Sequence, residues 1–394
     1  MPIMQSKRLT VLIISTSYPL WPGSVSGIFV KHLATALDAI VDVSVITPAE
    51  RGIQHNPTLR PRVHAFRYAP DALQVLAHAP GGIPAAVAGH PWQLSLLPGL
   101  MLSMLLTCIW HGRKTEILFA NWSIPGVMAA LAGKLLRKPT VVTLRGEDAN
   151  RATKRGLHRY LLSACMQMCD AVVVVSQALQ RRLTDEYPQH AEKLHMIPNG
   201  VGEAFLALPL PKMQTDSLRL IFVGSLIPRK SVSTLIRALA LLPLHHTLTI
   251  VGEGPEEDAL RDLCDSLGLA DRVTFLGQKH PEELPGLLAE SDVLVLPSLS
   301  EGRPNVILEA LAAGRAVVAS DIDGNRELIG QDERGLLFPP GDVHALTDRL
   351  QRLDSSTLRV ELGLAGRSYI ENCELSWGHA ARRYEALFRS LKAG

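Results

Sequence analysis

The segment 297–324 constrains the fold of this chain most. A short apolar run with strand composition, Val293–Leu296, precedes it. A helix is predicted between Pro304 and Gly314, and a second apolar run, Ala316–Ala319, follows that helix. Strand, loop, helix and strand in this order form the repeating unit of a parallel sheet.

The same alternation of apolar runs and helical segments occurs in both halves of the chain. A length of 394 residues suits about two domains. The pattern predicts the α/β class, with two doubly wound Rossmann-like domains built on parallel sheets. The other predicted strands are Leu9–Ile14, Val41–Ile46, Glu116–Ala120, Thr140–Leu144, Ala171–Val175, Leu218–Val223, Thr247–Val251 and Val273–Leu276.

Two carboxylates, Glu301 and Glu309, frame the junction at which the loop of this segment enters the helix. Free backbone N–H groups at the start of a helix favour a phosphate. Carboxylates accept hydrogen bonds from sugar hydroxyls, as the acidic residue of dinucleotide-binding folds does. The junction is therefore predicted to bind a sugar nucleotide.

The segment 301–320, EGRPNVILEALAAGRAVVAS, resembles the signature of the retaining glycosyltransferases of family 4, whose fold is called GT-B. In that signature seven residues separate two glutamates, and Glu301 and Glu309 match them. The resemblance covers nearly the whole chain and is strongest from Phe222 to Pro339. It implies two domains that face each other across a cleft, with a C-terminal helix that crosses back to the first domain. RGEDAN, 145–150, resembles the exopolysaccharide and lipopolysaccharide-type branch of the family.

The resemblance also implies the domain boundaries. MIPNGV, 196–201, is similar to the last N-terminal strand of the family and the linker that follows it. We expect residues 1–205 to form an N-terminal acceptor-side domain and residues 206–375 a C-terminal domain that binds the nucleotide-sugar donor. Residues 376–394 would form the terminal helix, packed back on the N-terminal domain.

The resemblance places the chemistry of the donor in the second half. Lys230 stands at the position of the family's phosphate-binding lysine, and Arg229 would add a second cation for the diphosphate leaving group. Glu301 would face the reacting sugar. Glu309 would bind the ribose hydroxyls, and its apolar neighbours in the sequence favour a buried, paired carboxylate.

The remaining donor contacts are expected from backbone-rich loops. The family often has an arginine directly after Val-Gly, where this chain has Ser225. In the first half, the loop before a helix predicted at 28–37 resembles the family's loop that faces the cleft. The residues assigned to these contacts are Gly302, Arg303, Pro304, Asn305, Val306, Gly224, Ser225, Gly254 and Gly27.

The acceptor side is assigned to the basic half. Family members often have His-Gly-x-Asp where this chain has Arg145 followed by Gly-Glu-Asp. Because an arginine stays protonated, Arg145 would act as a cation rather than as a base. Arg151, Lys154 and Arg155 follow it, and a solvated amphipathic helix is the alternative interpretation of this segment.

Charge is unevenly distributed along the chain. Residues 1–200 hold 20 Lys and Arg against 11 Asp and Glu, a net charge of +9, whereas residues 201–394 hold 20 against 27, a net charge of −7. We expect the basic half to contact something anionic, either a lipid-linked acceptor or, peripherally, the inner face of the cell membrane. Nucleic acid is not expected as a partner, because aromatic residues make up only 5% of the chain and no motif for reading bases is present.

The run Leu94–Trp110 contains no charged residue. Its apolar positions fit one face of a helix. Three interpretations stay open: a buried helix of the first domain, a helix that lies on a membrane, and a membrane span, although a span would interrupt a parallel sheet.

No metal and no cofactor are expected, with the nucleoside diphosphate sugar as a co-substrate. Asp321 and Asp323 form a D-x-D sequence, but in this family the corresponding loop has no metal role, and cationic side chains at the phosphates make a metal dispensable. The five cysteines lack zinc-ligand spacing and suit a reduced compartment, and Cys165 and Cys169 are predicted to be buried. No signal peptide is evident, so a cytoplasmic location is expected.

These observations predict a metal-independent, retaining glycosyltransferase. It would move a sugar from a nucleoside diphosphate sugar to a hydroxyl of a lipid-linked or saccharide acceptor, in cell-surface polysaccharide biosynthesis. Two alternatives stay open. One is a sugar-nucleotide epimerase on a similar fold, and the other is a non-catalytic subunit that binds a sugar nucleotide.

Overall fold

The computed structural model describes residues 8–21, 24, 26–53, 60–78, 82–145, 156–210 and 217–393. The chain forms two compact units. The first unit is Met1–Asn199 with Trp377–Gly394, and the second is Gly200–Ser376. Each unit contains one parallel sheet with helices packed on it, so the predicted α/β class with two Rossmann-like domains is confirmed.

The sheet of the first unit has seven strands in the order β3-β2-β1-β4-β5-β6-β7, and every ladder between neighbours is parallel. The strands are β1 Thr10–Ile14, β2 Asp42–Pro48, β3 Arg62–Phe66, β4 Ile117–Asn121, β5 Thr140–Leu144, β6 Ala171–Val174 and β7 Leu194–Met196. The helices are Ile28–Asp38, Gly82–Gly89, Leu97–Gly112, Ser123–Leu136, Leu157–Met168, Gln177–Glu186 and Trp377–Ala393.

The first sheet is buried on both faces, which explains why its strands are nearly uniform apolar runs. Alternate residues of β1 enter two different cores: Leu12 and Ile14 pack on one face, and Val11 and Ile13 on the other. The terminal helix belongs to the second of these cores, as predicted. Its Tyr384 hydroxyl lies 2.8 Å from Thr143 Oγ1 of β5.

The sheet of the second unit has six strands in the order β10-β9-β8-β11-β12-β13, again with parallel ladders throughout. The strands are β8 Arg219–Val223, β9 Thr247–Val251, β10 Val273–Phe275, β11 Val293–Leu296, β12 Ala316–Ser320 and β13 Leu336–Phe338. The helices are Glu203–Leu206, Val232–Ala240, Glu257–Ser266, Leu284–Ala289, Asn305–Ala312, Asp323–Ile329, Val343–Arg352 and Ser356–Asn372.

Both sheets reverse their winding direction once. In the second sheet, the chain proceeds outward from β8 to β10, then returns to the other side of β8 and proceeds from β11 to β13. Ligands of such sheets bind outside the carboxyl ends of the strands at this reversal, because the two flanking loops leave in opposite directions. In the second unit, the loops at this reversal are those after β8 and β11, which carry Lys230 and Glu301.

The apolar run Leu94–Trp110 lies in the 3₁₀ helix Pro91–Leu96 and the helix Leu97–Gly112. Only one face of the long helix is buried, through Leu100, Met104 and Cys108. Among the described residues, Pro91–Gly112 is the one helical stretch long and apolar enough to cross a membrane, and 22% of its most apolar window is buried. Burial in the core therefore accounts for one side of this helix and leaves the other unexplained.

Candidate functional site

An ion pair joins the two loops at the winding reversal of the second sheet. Lys230 Nζ donates a hydrogen bond of 2.5 Å to Glu301 Oε1. Both side chains are largely buried, with 14% of Lys230 and 9% of Glu301 exposed. A carboxylate and an ammonium group that are 71 positions apart in sequence are thus brought together where this fold class binds ligands.

Arg229 supplies a second cation to the same carboxylate. Its Nη1 lies 3.5 Å from Glu301 Oε2 and donates a 2.8 Å hydrogen bond to the carbonyl oxygen of Ser300. The Leu299 N–H donates to the Arg229 carbonyl oxygen at 2.8 Å, which connects the two loops a third time. Glu301 is therefore held between two cations on a loop with little freedom to move.

The chain before Lys230 explains how its ammonium reaches this position. A 3₁₀ turn, Pro228–Lys230, starts at a proline, whose fixed φ suits the first helical position. A Cβ atom at Gly224 would lie 3.6 Å from Lys230 Cε and 3.2 Å from Phe222 Cζ. Gly224 thus borders the lysine side chain, and its contact with a donor stays a prediction.

The glycine loop after β9 packs directly on the loop after β8. A Cβ atom at Gly254 would lie 2.3 Å from the Leu226 carbonyl oxygen, a distance that no real Cβ adopts. The Leu226 N–H donates to the Glu253 carbonyl oxygen at 2.9 Å. The requirement for glycine at 254 is therefore explained by loop packing, and its contact with a donor stays a prediction.

The junction predicted to cradle a diphosphate has free donors, but fewer than predicted. Within the described part of the chain, the N–H groups of Gly302, Arg303 and Val306 donate no backbone hydrogen bond outside regular helices and strands. Pro304 occupies the N-cap position of the helix Asn305–Ala312. Its assignment as an N–H donor is wrong, because proline has no N–H group.

The side chain of Arg303 is buried rather than solvated. It is 2% exposed, and its Nη1 donates a 2.5 Å hydrogen bond to Glu327 Oε1. Glu327 belongs to the helix Asp323–Ile329 after β12. This buried ion pair ties the loop after β11 to the helix after β12 and fixes the start of the helix that carries Glu309.

Glu309 is half-buried, and burial raises the pKa of its carboxyl to about 7. Among the residues that the structure describes, no side chain forms an ion pair with it. The expected pairing is therefore wrong. Its neighbours on the same helix, Leu308 and Ala310, are fully buried. The Glu309 carboxyl therefore lies among apolar groups, with no cation paired to it, and this environment disfavours its charged form. Such a carboxyl is close to half-ionised at neutral pH.

In the first unit, Arg145 is the centre of a polar cluster at the carboxyl ends of the strands. Its guanidinium donates 2.8 Å hydrogen bonds to the side-chain oxygens of Asn121 and Asn199. It also lies over the ring of Phe29, 4.3 Å from the ring centre. These contacts hold the cation rigidly in place.

Gly27 lies in the first unit and ends the loop before the helix Ile28–Asp38. It has φ +70°, and a Cβ atom there would lie 2.1 Å from the Ser17 carbonyl oxygen. Glycine is therefore needed to fold this loop back on itself. The contact of Gly27 with a donor stays a prediction.

The two aspartates of the D-x-D sequence form ion pairs with the same arginine. Arg326 lies 2.7 Å from Asp321 and 3.2 Å from Asp323. In the described ranges, no three residues of the His, Cys, Asp and Glu types are grouped as a metal site would need. Cys165 and Cys169 are buried, as predicted, and neither forms a disulfide. Arg151, Lys154 and Arg155 lie outside the described residues.

Two family models match this chain, one in each half, and they meet close to the boundary between its two units. The model for "Glycosyltransferase Family 4" matches residues 26–204, and the model for "Glycosyl transferases group 1" matches residues 211–368. The chain belongs to the glycosyltransferases of family 4 type. The predicted family is thereby confirmed, whereas the retaining stereochemistry stays a prediction.

Relatives of this glycosyltransferase include two bacterial proteins. An exopolysaccharide phosphotransferase of Streptomyces coelicolor is 32% identical over 289 residues, which are 71% of this chain and 29% of that protein. The amylovoran biosynthesis glycosyltransferase AmsK of Erwinia amylovora is 30% identical over 261 residues, 62% of this chain and 64% of the relative. The chain thus spans less than two thirds of the length of these two relatives.

The fold of this glycosyltransferase also matches solved structures. HepE from Anabaena, crystallised with UDP and glucose, superimposes with a TM-score of 0.74 at 20% identity, over 97% of this chain and 100% of the other. At this identity the likeness establishes the fold, which is of the GT-B type.

The sequence did not predict which residues of this glycosyltransferase hold Arg145, namely Asn121, Asn199 and Phe29. A positional signal was available for the two asparagines, because Asn121 ends β4 and Asn199 comes three residues after the end of β7. Polar residues at the carboxyl ends of neighbouring parallel strands meet at one edge of the sheet. Phe29 carried no comparable signal, since a phenylalanine in a helix is usually a core residue.

Proposed function

We propose that this chain transfers a sugar from a nucleoside diphosphate sugar to a hydroxyl of a saccharide or lipid-linked acceptor, with retention and without a metal. The observation that carries this proposal is the Lys230–Glu301 ion pair at the winding reversal of the second sheet, with Arg229 beside it. A largely buried lysine and a partly exposed arginine suit a diphosphate, and a carboxylate suits the hydroxyls of a sugar.

The ion pair would be rearranged when a donor binds. The diphosphate competes with Glu301 for Lys230, because both are anions that need the same ammonium group. Once Lys230 and Arg229 hold the diphosphate, they stabilise the negative charge that grows on it as the sugar leaves. The released Glu301 carboxylate can then accept hydrogen bonds from the sugar.

The reaction breaks the bond between the anomeric carbon and the diphosphate oxygen and forms a bond from that carbon to the acceptor oxygen. The proton of the acceptor hydroxyl passes to the departing diphosphate. Glu309 is assigned to the ribose, so Glu301 lacks the second carboxylate that a double-displacement mechanism uses. Retention would then require the hydroxyl to attack from the face that the diphosphate leaves.

A role in polysaccharide synthesis is supported by the relatives. One bears the name of an exopolysaccharide phosphotransferase and another that of an amylovoran biosynthesis glycosyltransferase. HepE, which shares the fold, binds UDP and glucose. We extend these properties to this chain as part of the proposal, together with a cytoplasmic location and an acceptor made for the cell surface.

Arg145 would assist by charge. Its guanidinium is fixed by Asn121 and Asn199 and stays protonated, so it can bind a phosphate oxygen of donor or acceptor but cannot move a proton. An epimerase needs groups that remove and return a proton at the sugar. The fixed cation at this position therefore favours transfer over epimerisation.

Substitutions at the ion pair test the proposal. We expect Glu301→Gln to slow sugar transfer by about 100-fold or more, the effect typical of a lost electrostatic contact to the transition state, while donor affinity changes less than about threefold. Lys230→Ala should weaken donor binding about tenfold and slow transfer as well. Transfer rates and donor titration calorimetry give the two readouts.

The matched control is Arg352→Gln, which removes an exposed ion pair with Asp332 at the end of the helix Val343–Arg352, on the side of the sheet where β13 begins. It should leave both readouts at their wild-type values. A Glu301→Gln protein that transfers sugar at the wild-type rate would remove the catalytic assignment of Glu301. A non-catalytic subunit would show donor binding and no transfer in any variant, the wild type included.

A further inference from the structure

The first unit exposes a row of large apolar side chains. The helix Leu97–Gly112 presents Leu102, Leu106 and Trp110 to solvent at successive intervals of four residues, so they form one line along the helix. Trp92 and Leu94 of the preceding 3₁₀ helix are exposed as well. We call these five side chains, which are between 53% and 65% exposed, the apolar stripe.

The helix itself cannot leave the protein without a large cost. Leu100, Met104 and Cys108, on the face opposite the stripe, have no exposed surface and belong to the core of the first sheet. A membrane span would have to pull these residues out of the core. A surface that meets the stripe from outside leaves them in place.

The neighbouring helix also exposes apolar side chains. Leu97–Gly112 packs against Ser123–Leu136, which exposes Leu131 and Leu135. Exposed large apolar side chains on two packed helices of one unit favour a contact with something apolar.

The part of the sequence that carries the stripe is poor in acidic residues. From residue 72 to residue 146 the sequence contains a single acidic residue, Glu116. Its carboxylate receives a 2.5 Å hydrogen bond from Lys392 Nζ and a 3.0 Å hydrogen bond from the Thr10 N–H. The carboxylate is therefore already neutralised within the first unit.

Exposed bases stand at the same end of both helices. Arg113 and Lys114 follow the end of Leu97–Gly112, and Lys134 and Arg137 stand at the end of Ser123–Leu136. The Arg113 guanidinium lies 5.9 Å from the centre of the Trp110 ring. The segment that carries the apolar stripe is thus predominantly basic, with six Lys and Arg residues against one acidic residue between positions 72 and 146.

We propose that the apolar stripe rests in the headgroup region of an anionic lipid bilayer, with the helix Leu97–Gly112 parallel to the membrane plane. Leucines would enter the edge of the acyl layer, as on other interfacial helices. Trp92 and Trp110, near the two ends of the stripe, suit the headgroup level. The bases would contact lipid phosphates.

An anionic membrane fits these features better than a protein partner does. Apolar contact alone would suit either, but a surface with bases and one neutralised carboxylate has no charge pattern with which to select a particular protein face. A lipid surface needs only apolar depth and net positive charge. The inference does not depend on the proposed sugar transfer, since the basic and apolar residues lie outside the loops that carry Lys230 and Glu301.

Vesicle sedimentation tests the proposal directly. Wild-type protein should sediment with vesicles of phosphatidylcholine and phosphatidylglycerol, and much less with phosphatidylcholine alone. Leu102→Gln with Leu106→Gln should lower the partition coefficient at least about tenfold, because two leucines leave the acyl layer. Arg113→Gln with Lys114→Gln should lower it by roughly fivefold for each base and weaken its salt dependence.

The matched control is Leu241→Gln with Leu244→Gln, two exposed leucines of the second unit, which should bind vesicles like the wild type. Melting temperatures of all variants should stay close to the wild-type value, because every substituted side chain is exposed. Unchanged vesicle binding of the Leu102→Gln and Leu106→Gln double variant would overturn the proposal.

Tryptophan fluorescence gives a second readout of the contact. Anionic vesicles should shift the wild-type emission to shorter wavelength, and Trp110→Phe should lose a large part of this shift while still sedimenting with the vesicles. An assembly of wild-type chains in lipid-free buffer that the leucine double variant dissociates would show that a second copy covers the stripe, and would overturn the proposal. None of these assays contains a sugar donor, so their outcome is independent of the transfer activity.

Discussion

Glu301 and Glu309 show how one residue type is placed in two environments on neighbouring segments. Glu301 is held between the cations of Lys230 and Arg229. Glu309, eight positions later, lies on an apolar helix face with no cation paired to it in the described structure, and burial raises its pKa to about 7. The difference comes from what surrounds each carboxyl rather than from the residue.

The raised pKa of Glu309 predicts a pH-dependent stability. The unfolded chain releases this proton near pH 4.5 and the folded chain near pH 7, so between these values the folded state binds more protons. Stability should therefore fall as pH rises from about 5 to 7 and level off above that. Glu309→Gln removes this pH-dependent contribution. At pH 8 the free energy of unfolding of this variant should exceed that of the wild type by at most about 3 kcal/mol.

Urea unfolding at pH 5, 6, 7 and 8 measures this difference, with Glu361→Gln as a control because Glu361 is an exposed glutamate. A difference between Glu309→Gln and the wild type that does not vary with pH would contradict the prediction. If Glu309 holds the ribose, a nucleotide should also bind the wild type more tightly above pH 7 than below it, since the hydroxyls donate to the carboxylate.

At the scale of elements, the site depends on loops that pack on one another. The loop after β9 touches the loop after β8 at Gly254, and the helix after β12 holds the loop after β11 through Glu327 and Arg303. The strands supply fixed starting points, and glycine allows two backbones to approach within the distance of a side chain. Lys230 and Glu301 meet because both their loops are braced in this way.

Gly254→Ala tests the bracing. An added methyl group would meet the Leu226 carbonyl at 2.3 Å, so we expect a loss of roughly 2 to 4 kcal/mol of unfolding free energy, as for overpacked sites, together with weaker donor binding. Gly286→Ala is the control. It lies in the helix Leu284–Ala289 with no atom within 4 Å of the added methyl, and should be neutral or slightly stabilising. Equal stability of the two variants would show that the loops yield without cost.

At the scale of the whole molecule, each unit has cores of its own. The core of the second unit runs from Val201 to Leu375, and the two cores of the first unit cover the two faces of its sheet. A ligand of the second unit should therefore stabilise that unit's unfolding step in particular. Separate cores in the two units also mean that one melting temperature need not describe the whole chain.

A nucleoside diphosphate should raise the melting temperature of the step that unfolds the second unit. Ligand at about 100 times its Kd stabilises the native state by about 2.7 kcal/mol. Calorimetric scans with UDP, GDP, ADP and TDP would identify the base, and the shift should persist in EDTA if cationic side chains suffice for the diphosphate. It should be much smaller in Lys230→Ala. A shift that EDTA abolishes would contradict the metal-independent mechanism.

Much of the fold could be predicted from the order of apolar runs. Strands of a parallel sheet are buried on both faces, so they stand out as apolar segments between helices. The strands β3, β7 and β13 gave weaker signals, since β7 and β13 have three residues each and β3 buries only Val63 and Phe66 of its five residues. Short edge strands are defined by their partners more than by their own residues.

The candidate site was predicted only in part. Glu301 and Lys230 were identified by their positions in a family-like pattern, but their ion pair joins residues 71 positions apart. The supposed pairing of Glu309 failed because its partner would have had to come from another element, and none of the described elements supplies one. Asn121 and Asn199, which fix Arg145, reach it from 24 and 54 positions away.

The sequence by itself determined the alternation of strands and helices, the glycines at close approaches and the excess of bases in the first half, because these follow from local composition. Only the tertiary structure decided which charges meet, which carboxyl stays unpaired and which side of the helix Leu97–Gly112 faces solvent. The reason is physical: periodicity along a helix shows that a face is apolar, whereas burial, ion pairing and pKa depend on the elements that the fold brings to that face.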